Sequence, residues 1–134
     1  MEAVRLTWHL VVTGKHERSA QRILQRVQAA IGRTIEVQAI ERYHKDPGQF
    51  SIRFTTPLDE AAPADAVFQA LTDAQRLGSG WTVIGPMICQ NNRWTFEMVA
   101  AANANGRFLV PGVVWTHIEV RPADQPADEA PPEP

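Results

Sequence analysis

The sequence predicts a two-layer α+β domain, with two helices over one face of an antiparallel sheet. Three observations carry this. Val4 to Val12 alternates between the two faces of a strand, an amphipathic helical stripe follows at once, and two further alternating runs come next, separated by turn residues. Together they form a βαββ unit, and a second helix with more strands follows it.

Taken in order, Val4, Leu6, Trp8, Leu10 and Val12 are expected to face the helices, leaving Arg5, Thr7, His9 and Val11 on the opposite face. Ala20, Ile23, Leu24, Val27, Ala30 and Ile31 then follow the i, i+3, i+4, i+7 spacing of a helix, and Gly32 stops it. Thr34 to Arg42 alternates with Ile35, Val37 and Ala39 on one face and Glu36, Gln38, Ile40 and Arg42 on the other. Asp46-Pro47-Gly48 supplies turn chemistry, and Phe50, Ile52 and Phe54 alternate with Ser51, Arg53 and Thr55, so an antiparallel hairpin is expected.

Thr56-Pro57-Leu58-Asp59 breaks that strand, and Pro63 fits only the first turn of the next helix. Ala64, Val67, Phe68, Leu71 and Ala74 mark its expected buried stripe, which ends at Gly78. Strands are expected over Thr82 to Ile88, over Arg93 to Val99 after an Asn91-Asn92 turn, and over Val113 to Val120, with Trp81 and Trp94 stacking across that turn. Residues 100–112 read as a loop or irregular edge. The order β-α-β-β-α-β matches a ferredoxin-like (split βαβ) sandwich, with the last two strands extending the sheet or folding over it. Residues 1–120 are expected to form a single domain. Residues 121–134, rich in proline and acid with no large apolar side chain, read as a disordered tail.

At 134 residues, 44% hydrophobic and 21% charged, the chain can bury a core without covalent staples. Its one cysteine, Cys89, has no internal partner, which suits a reducing compartment, and a cytoplasmic location is expected. No run approaches the ~20 apolar residues that a membrane span needs, and no basic and apolar leader opens the chain. The net charge of −2 is unevenly spread: residues 1–56 carry nine bases against five acids, residues 57–120 three against six, and the tail one against four. Such polarity suits a charged protein partner, but it lacks the concentrated basic field of a nucleic-acid binder.

No phosphate loop, cysteine metal motif or nucleophile motif is present. The candidate surface is therefore built from topology. If the first and third strands are neighbours, Arg5, His9 and Arg53 share one polar patch, which is either a solvated sheet face or a docking face. On the last strand Trp115 and His117 line one side with Glu119; His117 and Glu119 suit a base with its orienting carboxylate, half a metal site, or a structural histidine. A metal held by His9 and His117 would need their strands to meet on one face, and neither a metal nor a cofactor is expected. Arg18, Arg22 and Arg26 continue a basic stripe from Lys15 along the first helix, either a solvated face or a docking ridge. Of the four tryptophans, Trp8 belongs to the core, and Trp115 is the expected interface residue.

The runs Gly80-Trp81-Thr82-Val83-Ile84-Gly85-Pro86 and Pro111-Gly112-Val113-Val114-Trp115-Thr116-His117-Ile118-Glu119-Val120 set the style of a short, polarised α+β chain with spare tryptophans. In that style it resembles the cytosolic immunity proteins that bacteria make against their own polymorphic or contact-dependent toxins. The resemblance implies a non-catalytic protein that binds and occludes a toxin domain, with charge complementarity speeding association. A competing class is a dimeric α+β barrel that binds or transforms a small molecule in a pocket lined by His9, Arg53 or His117. An RNA-binding domain of similar shape is disfavoured, because Gln49-Phe50-Ser51-Ile52-Arg53-Phe54 lacks the glycine-aromatic RNA motif.

Overall fold

A computed structural model describes residues 4–58, 62–88 and 94–122. The strands are β1 (Val4–Thr13), β2 (Glu36–Arg42), β3 (Gln49–Pro57), β4 (Gly78–Ser79), β5 (Thr82–Ile88), β6 (Trp94–Ala101), β7 (Arg107–Phe108) and β8 (Val113–Pro122). Two helices, α1 (Glu17–Ile31) and α2 (Pro63–Leu77), complete the fold. Six strands form an antiparallel sheet in the order β2-β3-β1-β8-β6-β5, and β4 and β7 pair separately.

The fold is thus α+β, with both helices packed on one face of the sheet. Leu6, Trp8, Leu10 and Val12 of β1 are fully buried there with Phe54 of β3, Met98 of β6 and Ile118 of β8, against Ala20 and Val27 of α1 and Ala70 and Ala74 of α2. Trp8 stacks on Phe54 with ring centroids 5.5 Å apart, and its indole Nε1 donates to Thr56 Oγ1 at 3.0 Å. The largest core side chain is therefore buried without stranding its donor, which preserves the ~1.5–3 kcal/mol that burying an ordinary large apolar side chain contributes. Gly32 takes the left-handed conformation (φ 75°) that closes α1, and its N–H donates to Gln28 O at 2.9 Å.

The structure departs from the sequence reading in five places. The last strand neither extends the sheet nor folds over it; β8 lies in its interior between β1 and β6, and Thr82–Ile88 forms the far edge. β8 also runs to Pro122, two residues past the expected boundary at 120, and residues 123–134 lie outside the described residues, as does the Asn91-Asn92 turn. A bulge between Val37 and Ala39 breaks the alternation of β2, so that Ile40 packs on the helix-covered core and Ala39 pairs with Arg53.

α2 is rotated from its expected stripe. Ala66, Gln69, Ala70, Asp73, Ala74 and Leu77 are buried, whereas Ala64 is exposed and Phe68 is 72% exposed. The two polar residues inside that face, Gln69 and Asp73, are what hid it from a count of apolar positions. Finally, residues 100–112 contain β7, whose pairing with β4 ties the chain after α2 to the β6–β8 connection, and Trp81 lies edge-on to Phe108 rather than across from Trp94. Two-residue strands carry no periodic signal to read.

Candidate functional site

The register of the central strands writes out the helix-free face row by row. In one row Arg53 of β3 pairs with His9 of β1, His9 with His117 of β8, and His117 with Val99 of β6. In the next, Thr55 pairs with Thr7, Thr7 with Glu119, and Glu119 with Glu97. On the other side Ser51 pairs with Val11, Val11 with Trp115, and Trp115 with Ala101. The strands of His9 and His117 do meet on one face, and their residues are direct cross-strand partners.

The centre of this face is buried although no helix covers it. Val11, Tyr43 and Trp115 form a small second cluster, with Val99, Ala101 and Val114 half-buried around it. The Trp115 ring stands edge-on to His9 at 5.0 Å and lies nearly parallel to His117 at 6.2 Å. Val11 and Val12 point to opposite faces by ordinary strand alternation, each fully buried, and the β1–β8 register shifts beside them because Val11 pairs with Trp115 and Val12 with Val113, leaving Val114 as the extra residue on β8.

His9 is 2% exposed, and its Nε2 lies 2.7 Å from Ser51 Oγ. Burial first, then electrostatic repulsion from Arg53 and His117 against a second proton, push its pKa down from 6.5 to about 4. It is a neutral imidazole at neutral pH. His117, 6% exposed, has its Nε2 3.4 Å from Glu97 Oε2. Ser51 and His9 stand at the distance of a nucleophile and its base. Acyl transfer would also need free backbone donors for an oxyanion, and the N–H groups of this stretch of β1 and β3 are engaged in the ladder.

The expected site residues divide between two surfaces. His9, Arg53, Trp115 and His117 come together at the centre of the sheet face. Arg5 lies at its rim, exposed, with its guanidinium 2.9 Å from Glu36 Oε2. Arg18, Arg22 and Arg26 are exposed on α1, which packs on the other side of the sheet, so the basic stripe and the sheet patch cannot meet one small ligand together. Trp115 needs a correction: at 5% exposed it is packing within the face and not a projecting anchor.

Two contributors were missed. Tyr43, between β2 and the hairpin turn, gave no sequence signal. Glu97 did: Trp94, Phe96 and Met98 mark the inner face of β6, which assigns Thr95, Glu97 and Val99 to the outer one. Glu97, His117 and Glu119 offer ligand atoms that all lie within 4.8 Å of one another, the group among the described residues able to hold a metal ion.

Beside the Trp115 cluster, a cleft of about 530 Å³ opens between the β2–β3 turn and the segment after β6. Tyr43, Val11, Val114 and Trp115 contribute apolar and aromatic surface, and Lys45, Asp46, Gln49 and Asn103 contribute polar groups. His9, Arg53 and His117 do not line it. No helix among the described residues is long and apolar enough to cross a membrane. The chain matches no protein-family model, no curated protein and no solved structure.

Proposed function

We propose that this chain is a non-catalytic protein-binding module of the immunity type, a cytoplasmic inhibitor that occludes a cognate toxin domain. One observation carries the reading: both helices lie on the same side of the sheet, and the other side is a sheet face of mixed charge. Arg5 and Glu36 sit at its rim, Arg53 is half-buried nearer the centre, and Glu97 stands on the far side of the His9–His117 pair. A face of both signs suits steering and orienting a charged protein partner more than holding a phosphate backbone. The finer architecture assigned with it, a ferredoxin-like sandwich, is supported by the β1-α1-β2-β3 start and the order β2-β3-β1.

The test is a pull-down from the native host to identify the partner, followed by co-expression with the toxic domain it yields. Wild type should restore growth and co-purify with that domain, and Arg53→Glu should weaken both. Failure to protect, or protection unchanged by charge reversal across the sheet face, counts against the reading.

A second reading, a dimeric α+β barrel binding a small molecule, is favoured by the cleft floored by Tyr43 and Trp115. Sedimentation separates the two, because a barrel closed between two sheets requires a dimer.

A further inference from the structure

We propose that Glu97, His117 and Glu119 form a binding site for a divalent transition-metal cation of the Zn²⁺ class on the helix-free face. This goes beyond the docking reading and does not depend on it.

The register assembles the donors from two strands. Glu97 of β6 is the direct cross-strand partner of Glu119 of β8, and His117, two residues before Glu119, points to the same side of the sheet. The imidazole Nε2 is already 3.4 Å from Glu97 Oε2, and the three ligand atoms are mutually within 4.8 Å. A tetrahedral ion with bonds of about 2.0–2.2 Å holds its ligand atoms roughly 3.4 Å apart, so rotation of two glutamate side chains closes the set without moving backbone.

Two independent features support a cation here. Glutamates directly opposite on neighbouring strands repel each other, and a dication between them turns that repulsion into attraction. The imidazole is also pre-positioned: Trp115 stacks nearly parallel to His117, with rings inclined by only 12°, and the His117 side chain is 7% exposed, so its orientation is fixed by packing before any ion arrives. Glu97, by contrast, keeps 34% of its side-chain surface exposed, leaving a route in from solvent.

The donor set selects the ion. One imidazole with two carboxylates suits Zn²⁺ and its neighbours, whereas Mg²⁺ and Ca²⁺ prefer oxygen alone. Three protein ligands leave a coordination position for water or for a group from outside, as in open rather than closed zinc sites.

The experiment is calorimetric titration of the full chain, stripped with a chelator, with ZnCl₂ and separately with MgCl₂. Saturable uptake of one Zn²⁺ per chain is expected, with no matching Mg²⁺ isotherm. Glu97→Gln and Glu119→Gln should each weaken Zn²⁺ binding by roughly tenfold or more, and the double variant should abolish it. Both glutamates lie on the helix-free face, outside the main core, and Glu→Gln keeps the side chain's size, so circular dichroism should report an unchanged fold. His117→Gln serves as a third variant if it folds. The exposed His16 and His44 provide the control: the double variant His16→Gln, His44→Gln should bind like wild type. The proposal is overturned by absence of saturable uptake, by uptake that survives loss of both glutamates, by uptake lost with His16 and His44, or by equal affinity for Mg²⁺. None of these outcomes bears on protection against a toxin, which is read separately by growth.

Discussion

Arg33 Nε sits 3.1 Å from Asp73 Oδ2 and 3.3 Å from Oδ1, joining the loop after α1 to a carboxylate that is fully buried on α2. Around the same carboxylate, Gln69 Nε2 donates to Oδ2 at 3.4 Å and to Pro57 O at 3.1 Å. Arg76 stands 3.6 Å from Oδ1 and donates to Ile31 O at 3.1 Å. One buried acid therefore gathers both helices and the end of β3.

Removing Arg33 leaves that acid buried with only a longer and more exposed cation beside it. Arg33→Ala should cost about 3 kcal/mol, in the range for breaking a buried pair. Arg76→Ala, whose side chain is 48% exposed, should cost about 1 kcal/mol. Urea unfolding of both variants checks the order, and equal costs would show that Asp73 does not depend on Arg33.

Trp115→Ala should destabilise the fold by about 3 kcal/mol, the usual range for emptying a buried aromatic position. The ring packs against Val11, Tyr43 and two histidines, so loss of partner binding in this variant reports the fold and not a contact. A thermal melt within a degree or two of wild type would instead place Trp115 outside the packed face.

His9 makes stability depend on pH with a defined sign. Its folded pKa of about 4 lies below the unfolded 6.5, so below 6.5 the unfolded chain takes up the proton first. The contribution is complete above pH 6.5 and is lost as the pH falls toward 4. Between pH 7 and pH 5 metal-free protein should lose about 2 kcal/mol through this group. His9→Gln should flatten that part of the profile in urea titrations, and a profile as steep as wild type would mean that other groups set it.

Gly80 holds φ at +81°, and a Cβ there would overlap the carbonyl oxygen of Asn105. Gly80→Ala should therefore cost roughly 2 kcal/mol or more, since left-handed backbone alone costs a side chain about 1–2 kcal/mol. The loss is measurable by differential scanning calorimetry.

β5 presents all seven residues to solvent and carries no charge; Val83, Ile84, Met87 and Ile88 are 47%, 37%, 52% and 81% exposed. Ile88→Lys should leave stability within about 0.5 kcal/mol and lower any concentration-dependent light scattering, because charge on an edge strand opposes pairing with another chain. Scattering that is unchanged would clear β5 of a part in self-association.

Much of this was legible in the sequence where burial is local and periodic. The stripe from Ala20 to Ile31 gave α1, and the alternation of Phe50, Ile52 and Phe54 gave β3, because each pattern repeats within one element. α2 was misread in its face because Gln69 and Asp73 are buried through hydrogen bonds and charge pairs, which no count of apolar residues detects. The Arg5, His9 and Arg53 neighbourhood followed from one hairpin and its adjacent strand. The His9–His117 pair and the opposition of Glu97 and Glu119 rest on where β8 inserts, and pairing between distant segments leaves no trace in local spacing.

The seat of β8 between β1 and β6 also sets the order in which the molecule can be completed. Its partner residues on β1 lie on the order of a hundred positions earlier in the chain, and closing so distant a seam makes for slow folding. Until that closure, the βαββ half stands as a three-stranded sheet with the backbone donors and acceptors of β1 uncovered along one side, beside its row of Leu6, Trp8 and Leu10. A chain lacking β8 would leave that edge of β1 open to pairing with other strands.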